Sequence, residues 1–209
     1  SNWTDGMGAG YYYRVEVQTP NCGAAVYSPS KLITITSGTP PTGGSVSSAV
    51  HATTTNSGTL TLSGSNTYDG GTNINAGVLS LGSANAIGTS GTISFGGGTL
   101  QYTSSNTTDY SSRLSGASGQ AFKVDTNGRN VTWATDLTNA SSSITKSGAG
   151  TLTLGVINLA NATFNQGTVV ATSISISGTS SIGGTITTSG VISFAGASTL
   201  VRDTTITSS

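Results

Sequence analysis

The sequence predicts an all-β protein that is mostly a parallel β-helix (β-solenoid), and three observations predict this fold class. Residues 57–62 (SGTLTL) are repeated almost unchanged at residues 149–154 (AGTLTL), and such repetition indicates stacked structural units. Charged residues make up 7% of the chain, against about 25% in ordinary domains, while 30 of the 209 residues are glycine. Short segments alternate Leu, Ile or Val with Ser or Thr, which is typical of strands that bury one face.

The repeat extends well beyond these six residues. Leu60 matches Leu152, and Asn66 matches Asn158 at the same offset. Residues 75–79 match residues 165–169 at an offset that is smaller by two, so the second copy is two residues shorter. The chain is therefore interpreted as part of an elongated structure built from stacked repeats.

The first 36 residues contain two predicted strands, at residues 11–17 and 31–36. This pair resembles the last two strands of an immunoglobulin-like or fibronectin-type module, in which a Tyr-x-Tyr-Arg-Val strand precedes the final one. Because such a β-sandwich needs about seven strands, the resemblance implies that residues 1–36 are only its C-terminal part. In a complete module Cys22 could pair with an upstream cysteine, and an unpaired buried or surface thiol is the equally open alternative.

Residues 37–44 (SGTPPTGG) are interpreted as a linker, and residues 45–209 as the β-helical repeat region. Turns of about 20–25 residues predict seven or eight turns for this region. An antiparallel β-sandwich is the competing architecture, because short-strand patterns alone do not separate the two. Strands are predicted at residues 59–62, 78–81, 92–95, 99–102, 130–133, 151–154, 173–176, 185–187 and 191–194.

Residues 57–82 and 144–154 resemble the autotransporter-associated β-strand repeat, also called the passenger-associated transport repeat. The resemblance covers roughly residues 56–170, and the second copy departs from the pattern after Leu154. It implies a β-helical region of a large exported bacterial surface protein, with a role in passenger folding and export and with no catalytic motif. A weaker resemblance, carried by the Tyr-rich strand, Cys22 and residues 41–46, is to giant gliding-motility adhesins of Bacteroidetes, which use type IX secretion.

Several functional classes are disfavoured by composition. The formal net charge is zero, which argues against a nucleic-acid partner, and no apolar run is long enough for this segment to insert in a membrane. His51 is the one histidine, and the acidic residues are scattered, so we expect neither a metal site nor a cofactor.

We expect no enzymatic activity, although many parallel β-helices act on polysaccharides. Such enzymes need paired carboxylates or basic groups, and the nearest candidates are Asp109 with Arg113 and Asp125 with Arg129. Isolated surface charges that keep a Ser- and Thr-rich rod soluble are the simpler interpretation.

Two further surface chemistries are compatible with the residue types. Thr-x-Thr pairs, such as those at residues 59–61, 151–153, 185–187 and 205–207, suggest an ice-binding face, but their irregular spacing predicts that they do not stack. Tyr102, Tyr110 and Trp133 are candidate glycan contacts, and buried packing explains these rings equally well.

The sequence thus predicts a non-catalytic, structural and adhesive segment of a large secreted adhesin at the bacterial cell surface. In this interpretation a stiff β-helical shaft presents polar faces to surfaces or glycans. The expected partners are other domains of the same polypeptide, surface polysaccharides and secretion-system components. A polysaccharide-active enzyme and an ice-binding solenoid are the alternatives.

Overall fold

A computed structural model describes residues 13–16, 31–35, 50–54 and 58–209; the side chains of the first three segments and of Arg202 are not described. The described residues contain one short 3-10 turn, Ser111–Arg113, and otherwise strands and connections. Among these residues there is no helix with the length and hydropathy needed to span a bilayer. The strands are β1 (Tyr13–Glu16), β2 (Lys31–Ile35), β3 (Val50–Thr54), β4 (Thr59–Leu62), β5 (Thr72–Ile74), β6 (Val78–Leu81), β7 (Ile93–Phe95), β8 (Thr99–Gln101), β9 (Ala121–Asp125), β10 (Val131–Trp133), β11 (Ser143–Ser147), β12 (Thr151–Leu159), β13 (Asn161–Phe164), β14 (Thr168–Ile176), β15 (Ser180–Thr188), β16 (Ile192–Phe194) and β17 (Ser198–Ser208).

The strand pairs from β2 onward are parallel, which confirms the predicted β-solenoid of about eight turns. The strands stack in three columns, which we call faces. Face A contains β4, β6, β8, β9, β11, β13 and the first parts of β15 and β17. Face B contains β10, the first parts of β12 and β14, and the last parts of β15 and β17. Face C contains β3, β5, β7, the last parts of β12 and β14, and β16.

The turns differ in length along the chain. On face A, Leu60 pairs with Leu79, Leu79 with Leu100 and Leu100 with Val124, so each of these turns is longer than the one before. On face B, Leu152 pairs with Val169 and Val169 with Ile186, so these two turns are equal in length and shorter than any of the first three. The predicted turn length of about 20–25 residues is therefore wrong for the turns between β12 and β15, where strands on all three faces are joined by tight corners.

The interior consists of side-chain columns that run along the solenoid axis. On face A the inward column contains Leu60, Leu79, Leu100, Val124, Lys146, Phe164 and Ile182, all of them buried. Each inward residue packs on its equivalents one turn above and below, about 4.8 Å away. The alternation of apolar and polar residues in the sequence follows directly from this stacking, with Lys146 as the exception.

The two strands predicted near the N-terminus are present as β1 and β2. They pair antiparallel, with Tyr13 opposite Ile35, and β2 pairs in parallel with β3. Cys22 and the linker at residues 37–44 lie outside the described residues. The immunoglobulin-like module and the domain boundary stay predictions.

Candidate functional site

The three aromatic residues proposed as glycan contacts lie inside the solenoid. Tyr102 and Trp133 are 0% exposed and Tyr110 is 4% exposed. A sugar ring can stack only on an aromatic face that solvent reaches, so the glycan-contact interpretation of Tyr102, Tyr110 and Trp133 is wrong in this fold. The structure shows the alternative, which is buried packing.

These rings form an aromatic cluster of Phe95, Tyr102, Tyr110, Phe122 and Trp133. The Trp133 Nε1–H donates a hydrogen bond of 2.7 Å to the Tyr102 hydroxyl, which in turn donates to the Thr108 carbonyl at 3.3 Å. The Tyr102 and Tyr110 rings stack with centroids 6.5 Å apart, and Phe95 meets Trp133 edge to face at 6.4 Å. Burial raises the pKa of the Tyr102 phenol above its usual range, so the phenol stays neutral. The cluster joins the end of β8 on face A to β10, the first described strand of face B.

Arg113 and Asp109 are near each other in sequence, but their side chains bind different groups. The Arg113 guanidinium donates to the carbonyls of Gly91 (2.8 Å), Gly88 (3.0 Å) and Ile87 (3.0 Å), and also to that of Ser90. Its Cζ lies 5.5 Å from the centroid of the Tyr110 ring. Arg113 therefore fixes residues 87–91 of the preceding turn, a structural role that the sequence did not reveal.

The carboxylates of Asp109, Asp125 and Asp136 bind amide groups. Asp109 accepts hydrogen bonds from the amides of Ser111 (2.8 Å) and Ala134 (2.9 Å). Asp136 accepts from the amide of Val156 at 2.7 Å. Asp125 accepts from the Asn127 amide at 2.8 Å and from the Gln101 side-chain amide at 2.9 Å. Among the residues that the structure describes, no three His, Cys, Asp or Glu side chains are grouped so as to hold a metal ion.

Lys146 occupies an inward position of face A and is 0% exposed. In the ladder it pairs with Val124 below and Phe164 above. Its Nζ donates to the carbonyls of Gly148 (2.7 Å), Gln166 (2.8 Å) and Ser147 (3.4 Å) and to the Thr126 hydroxyl (3.2 Å). One buried ammonium thus satisfies backbone carbonyls of two successive turns at the corner between faces A and B.

Burial lowers the pKa of Lys146 from its ordinary value of 10.5 to about 8, and the negative charge of Asp125 opposes this shift. The acceptors around Nζ are carbonyl and hydroxyl oxygens rather than a contacting carboxylate. The group is therefore a structural cation held in a polar pocket of the core. The only signal in the sequence is a lysine where the alternation that begins at Ile144 requires an apolar residue.

We expect Lys146→Met to lower the free energy of unfolding by about 2–4 kcal/mol. Methionine preserves the apolar stem, but the Gln166 carbonyl loses the Nζ donor and the Gly148 carbonyl keeps only its longer contact with the Thr126 hydroxyl. Loss of a donor costs about 1–3 kcal/mol for a buried acceptor, and both carbonyls are partly buried. Denaturant unfolding followed by circular dichroism measures the loss. Lys123→Met is the matched control, because Lys123 is only half-buried and donates one hydrogen bond, to Gly97. Equal losses in the two variants would contradict the assigned role.

The stability of the wild type relative to Lys146→Met should also depend on pH. Because the pKa of Lys146 is about 8 in the folded state and near 10.5 when unfolded, the unfolded chain binds the proton more tightly between these values. The wild type should therefore gain stability relative to the variant from pH 8 to pH 10, by at most about 1.4 kcal/mol per pH unit. A difference that does not change with pH would show that Lys146 titrates normally.

A cleft opens on face C between residues 111–118 and 134–140. No backbone hydrogen bond joins these two described segments; instead Ser111 Oγ accepts from the Thr135 amide at 2.9 Å, and the Asn139 side-chain amide donates to the carbonyls of Gly116 (3.0 Å) and Ala117 (2.6 Å). The cavity has a volume of about 560 Å³, and its walls include Leu114, Leu137, Phe122 and Asp136. A small ligand would fit this volume. Asp136 is the one carboxylate among the described residues that line it, so these residues do not include the pair of carboxylates that glycoside hydrolysis requires.

The Thr-x-Thr pairs are distributed over two faces. The pair at residues 59–61 lies on face A, whereas the pairs at 151–153, 185–187 and 205–207 lie on face B. On face B, Thr151, Thr168 and Thr185 are in register and equally spaced in the sequence. The expectation that irregular spacing prevents stacking is therefore wrong for face B, because these second-half turns have the same length.

Comparison with known proteins gives a family-model match to two segments of the chain. The family model of the passenger-associated-transport-repeat matches residues 53–81 and residues 144–171. No curated protein and no solved structure matches the chain. Each matched segment contains a Thr-Leu-Thr-Leu strand and the strand that pairs with it one turn later: Leu60 pairs with Leu79 in the first copy, and Leu152 with Val169 in the second.

Each matched segment thus spans one solenoid turn, from a strand to the strand that pairs with it in the next turn. The two copies occupy different faces, since the first Thr-Leu-Thr-Leu strand lies on face A and the second on face B. Two segments of this parallel β-solenoid thus match the passenger-associated-transport-repeat, an arrangement that fits a passenger domain of a secreted or surface protein of the autotransporter type.

Proposed function

We propose that this chain is a non-catalytic structural and adhesive segment of a large bacterial cell-surface adhesin. The solenoid serves as a stiff shaft, and its polar faces contact surfaces or glycans weakly and repeatedly. The observation that carries the proposal is the continuous run of parallel pairs on face A from β4 to β17. Eight stacked strands at about 4.8 Å spacing give a shaft of about 34 Å.

The ladder supports stiffness because the strands within face A are hydrogen-bonded both to the turn below and to the turn above. Extension or bending of such a stack has to break rows of backbone hydrogen bonds, and sheet edges are left only at the ends. Side-chain contacts between turns add to the ladder at the corners, as Arg113 and Lys146 do. These features support a mechanical role for the segment.

The outer surface supports the adhesive part of the proposal. Outward positions are mostly Ser, Thr and Asn, and the chain has seven basic and seven acidic residues. Hydroxyl and amide groups bind neutral sugars by hydrogen bonds, and a surface without net charge makes contacts that depend little on salt. Surface polysaccharides, other domains of the same polypeptide and components of the secretion machinery are the proposed partners.

A polysaccharide-active enzyme is the second candidate, and the cleft on face C is the observation that favours it. The experiment that separates the two is incubation of the whole chain with a panel of polysaccharides, with retention and released oligosaccharides both recorded. We expect retention that changes little between low and high salt and no released products. Product release that is lost in Asp136→Asn, but kept in the exposed control Asp203→Asn, would overturn the structural proposal and establish an enzyme.

A further inference from the structure

Face B presents an array of threonine side chains on its outer surface. One column consists of Thr151, Thr168, Thr185 and Thr205, each paired in register with the next. The second column, two residues further along each strand, consists of Thr132, Thr153, Val170, Thr187 and Thr207. Eight of the nine positions are threonine, and we call these nine residues the threonine array.

The register of the threonine array is maintained through an irregularity in the chain. Between β15 and β17 the register shifts, because Ile182 pairs with Leu200 whereas Gly184 pairs with Thr204, so β17 carries two additional residues. They are accommodated at the corner between faces A and B, before the array begins. Thr205 and Thr207 therefore still align with Thr185 and Thr187.

The hydroxyls of the threonine array are free to bind an external partner. None of these eight hydroxyls makes a hydrogen bond to another described residue, whereas the buried hydroxyls of Thr126 and Thr188 donate to backbone carbonyls. The array residues of β12, β14 and β15 are half-buried, so each of these outward side chains is partly accessible to solvent on the sheet surface. The array thus offers hydroxyls and methyls in a regular pattern.

Face A shows that this composition is not a general property of the solenoid surface. The corresponding outward columns of face A include Val78, Lys123, Gln101 and Asp125, so charged and long side chains interrupt any pattern. The threonine array contains no charged residue and no aromatic ring. The array therefore has neither the aromatic rings on which sugars stack in high-affinity glycan sites nor the charge that an ionic partner needs, and its distinguishing feature is the regular repeat of its hydroxyls and methyls.

We propose that the threonine array binds the surface of an ice crystal. Neighbouring strands of a sheet are about 4.8 Å apart and alternate residues of a strand about 6.6 Å apart, so we expect the hydroxyls to repeat at distances of the same order as the oxygen repeats of the ice lattice. Regularly spaced hydroxyls bond to lattice water at several points at once, and the methyl groups between them order the intervening water. Each contact is weak, and the array holds because many form together. This activity is independent of the proposed shaft and adhesive function.

The test is ice-recrystallisation inhibition by the whole chain, with Thr185→Lys as the array variant and Thr163→Lys as the matched control. Both threonines are half-buried, outward strand residues, and Thr163 lies on face A between Thr145 and Ser181. We expect Thr185→Lys to raise the concentration needed for inhibition about tenfold, as loss of a central contact does at other binding surfaces, and Thr163→Lys to leave it unchanged. Val170→Thr completes the array and should lower that concentration.

Circular dichroism establishes that each variant is folded at the temperature of the assay. No inhibition by the folded wild type would overturn the proposal, as would equal losses in Thr185→Lys and Thr163→Lys. If Thr185→Lys instead loses retention on an insoluble polysaccharide while ice growth is unaffected throughout, the array is a glycan surface and the ice proposal is wrong. Failure of the polysaccharide experiment described above would not affect this result.

Discussion

Replacing Gly167 with alanine is expected to lower the free energy of unfolding by about 3–5 kcal/mol, the sum of backbone strain and overpacking. Gly167 has a φ of +76°, and an added Cβ would lie 2.8 Å from Lys146 Nζ and 3.0 Å from the Gly148 carbonyl oxygen, and closer still to that of Gly150. The obstructing carbonyls belong to the turn below, which the parallel ladder holds in place. The substitution therefore has to separate two turns or displace the buried ammonium.

Gly119→Ala is the matched control for this prediction. Gly119 has a φ of +75°, almost that of Gly167, but no atom lies within 4 Å of the position that its added methyl group would take. The free energy of unfolding of Gly119→Ala should fall only by the cost of a left-handed conformation for alanine, about 1 kcal/mol. Denaturant unfolding of the wild type, Gly167→Ala and Gly119→Ala measures the loss of stability in each variant. Equal losses in the two variants would contradict the close approach between turns at Gly167.

The glycines of this corner also explain why turns of constant length are possible. Gly150, Gly167 and Gly184 follow one another at equal intervals, all with positive φ, and a Cβ at Gly167 or Gly184 would collide with the carbonyl of the glycine one turn below. The corner can be this tight because the backbones of successive turns are in contact without side chains between them. The equal spacing of the three glycines is visible in the sequence. Only the strand register shows that they occupy the same corner in successive turns.

The strands were predictable where each inward position is apolar. The nine predicted segments all overlap observed strands, because Leu, Ile, Val or an aromatic residue at alternate positions is what stacking in a narrow interior requires. The observed strands β3, β5, β9, β11, β13 and β17 are not among the segments named from the sequence. In β11 the reason is Lys146, which breaks the apolar alternation although it is fully buried.

The assignment of strands to faces could not be predicted, and neither could the candidate site. The repeated Thr-Leu-Thr-Leu segments that contain Leu60 and Leu152 suggest equivalent positions in the fold, yet the first lies on face A and the second on face B. Among the described residues, face B begins only at β10. Corner lengths decide which face a strand joins, and corners of Gly, Ser and Asn carry little sequence information about length. The threonine array and the aromatic cluster both depend on the lengths of these corners. Their residues could be identified in the sequence, but their positions in the fold could not be predicted from it.

Trp133→Ala is the second large effect we expect, a loss of about 3–5 kcal/mol in the free energy of unfolding. Trp133 is fully buried, meets Phe95 edge to face and donates to the Tyr102 hydroxyl at 2.7 Å, so alanine leaves a cavity and removes a hydrogen bond at once. Because the stability of a solenoid depends on contacts between neighbouring turns, the loss should appear as faster amide hydrogen exchange in β8 and β10.

A double-mutant cycle of Trp133→Phe and Tyr102→Phe separates the hydrogen bond from the packing. Phenylalanine at position 133 keeps most of the ring contact, so we expect a coupling of about 1 kcal/mol between the two sites, the usual contribution of a neutral buried hydrogen bond. Zero coupling would show that this bond contributes nothing beyond packing. If Trp133→Ala were instead as stable as the wild type but no longer retained on polysaccharides, the ring would have to be a surface contact, contrary to its burial. Because the buried Trp133 ring packs the end of β8 on face A against β10, the first described strand of face B, its removal should lower the free energy of unfolding rather than the retention on polysaccharides.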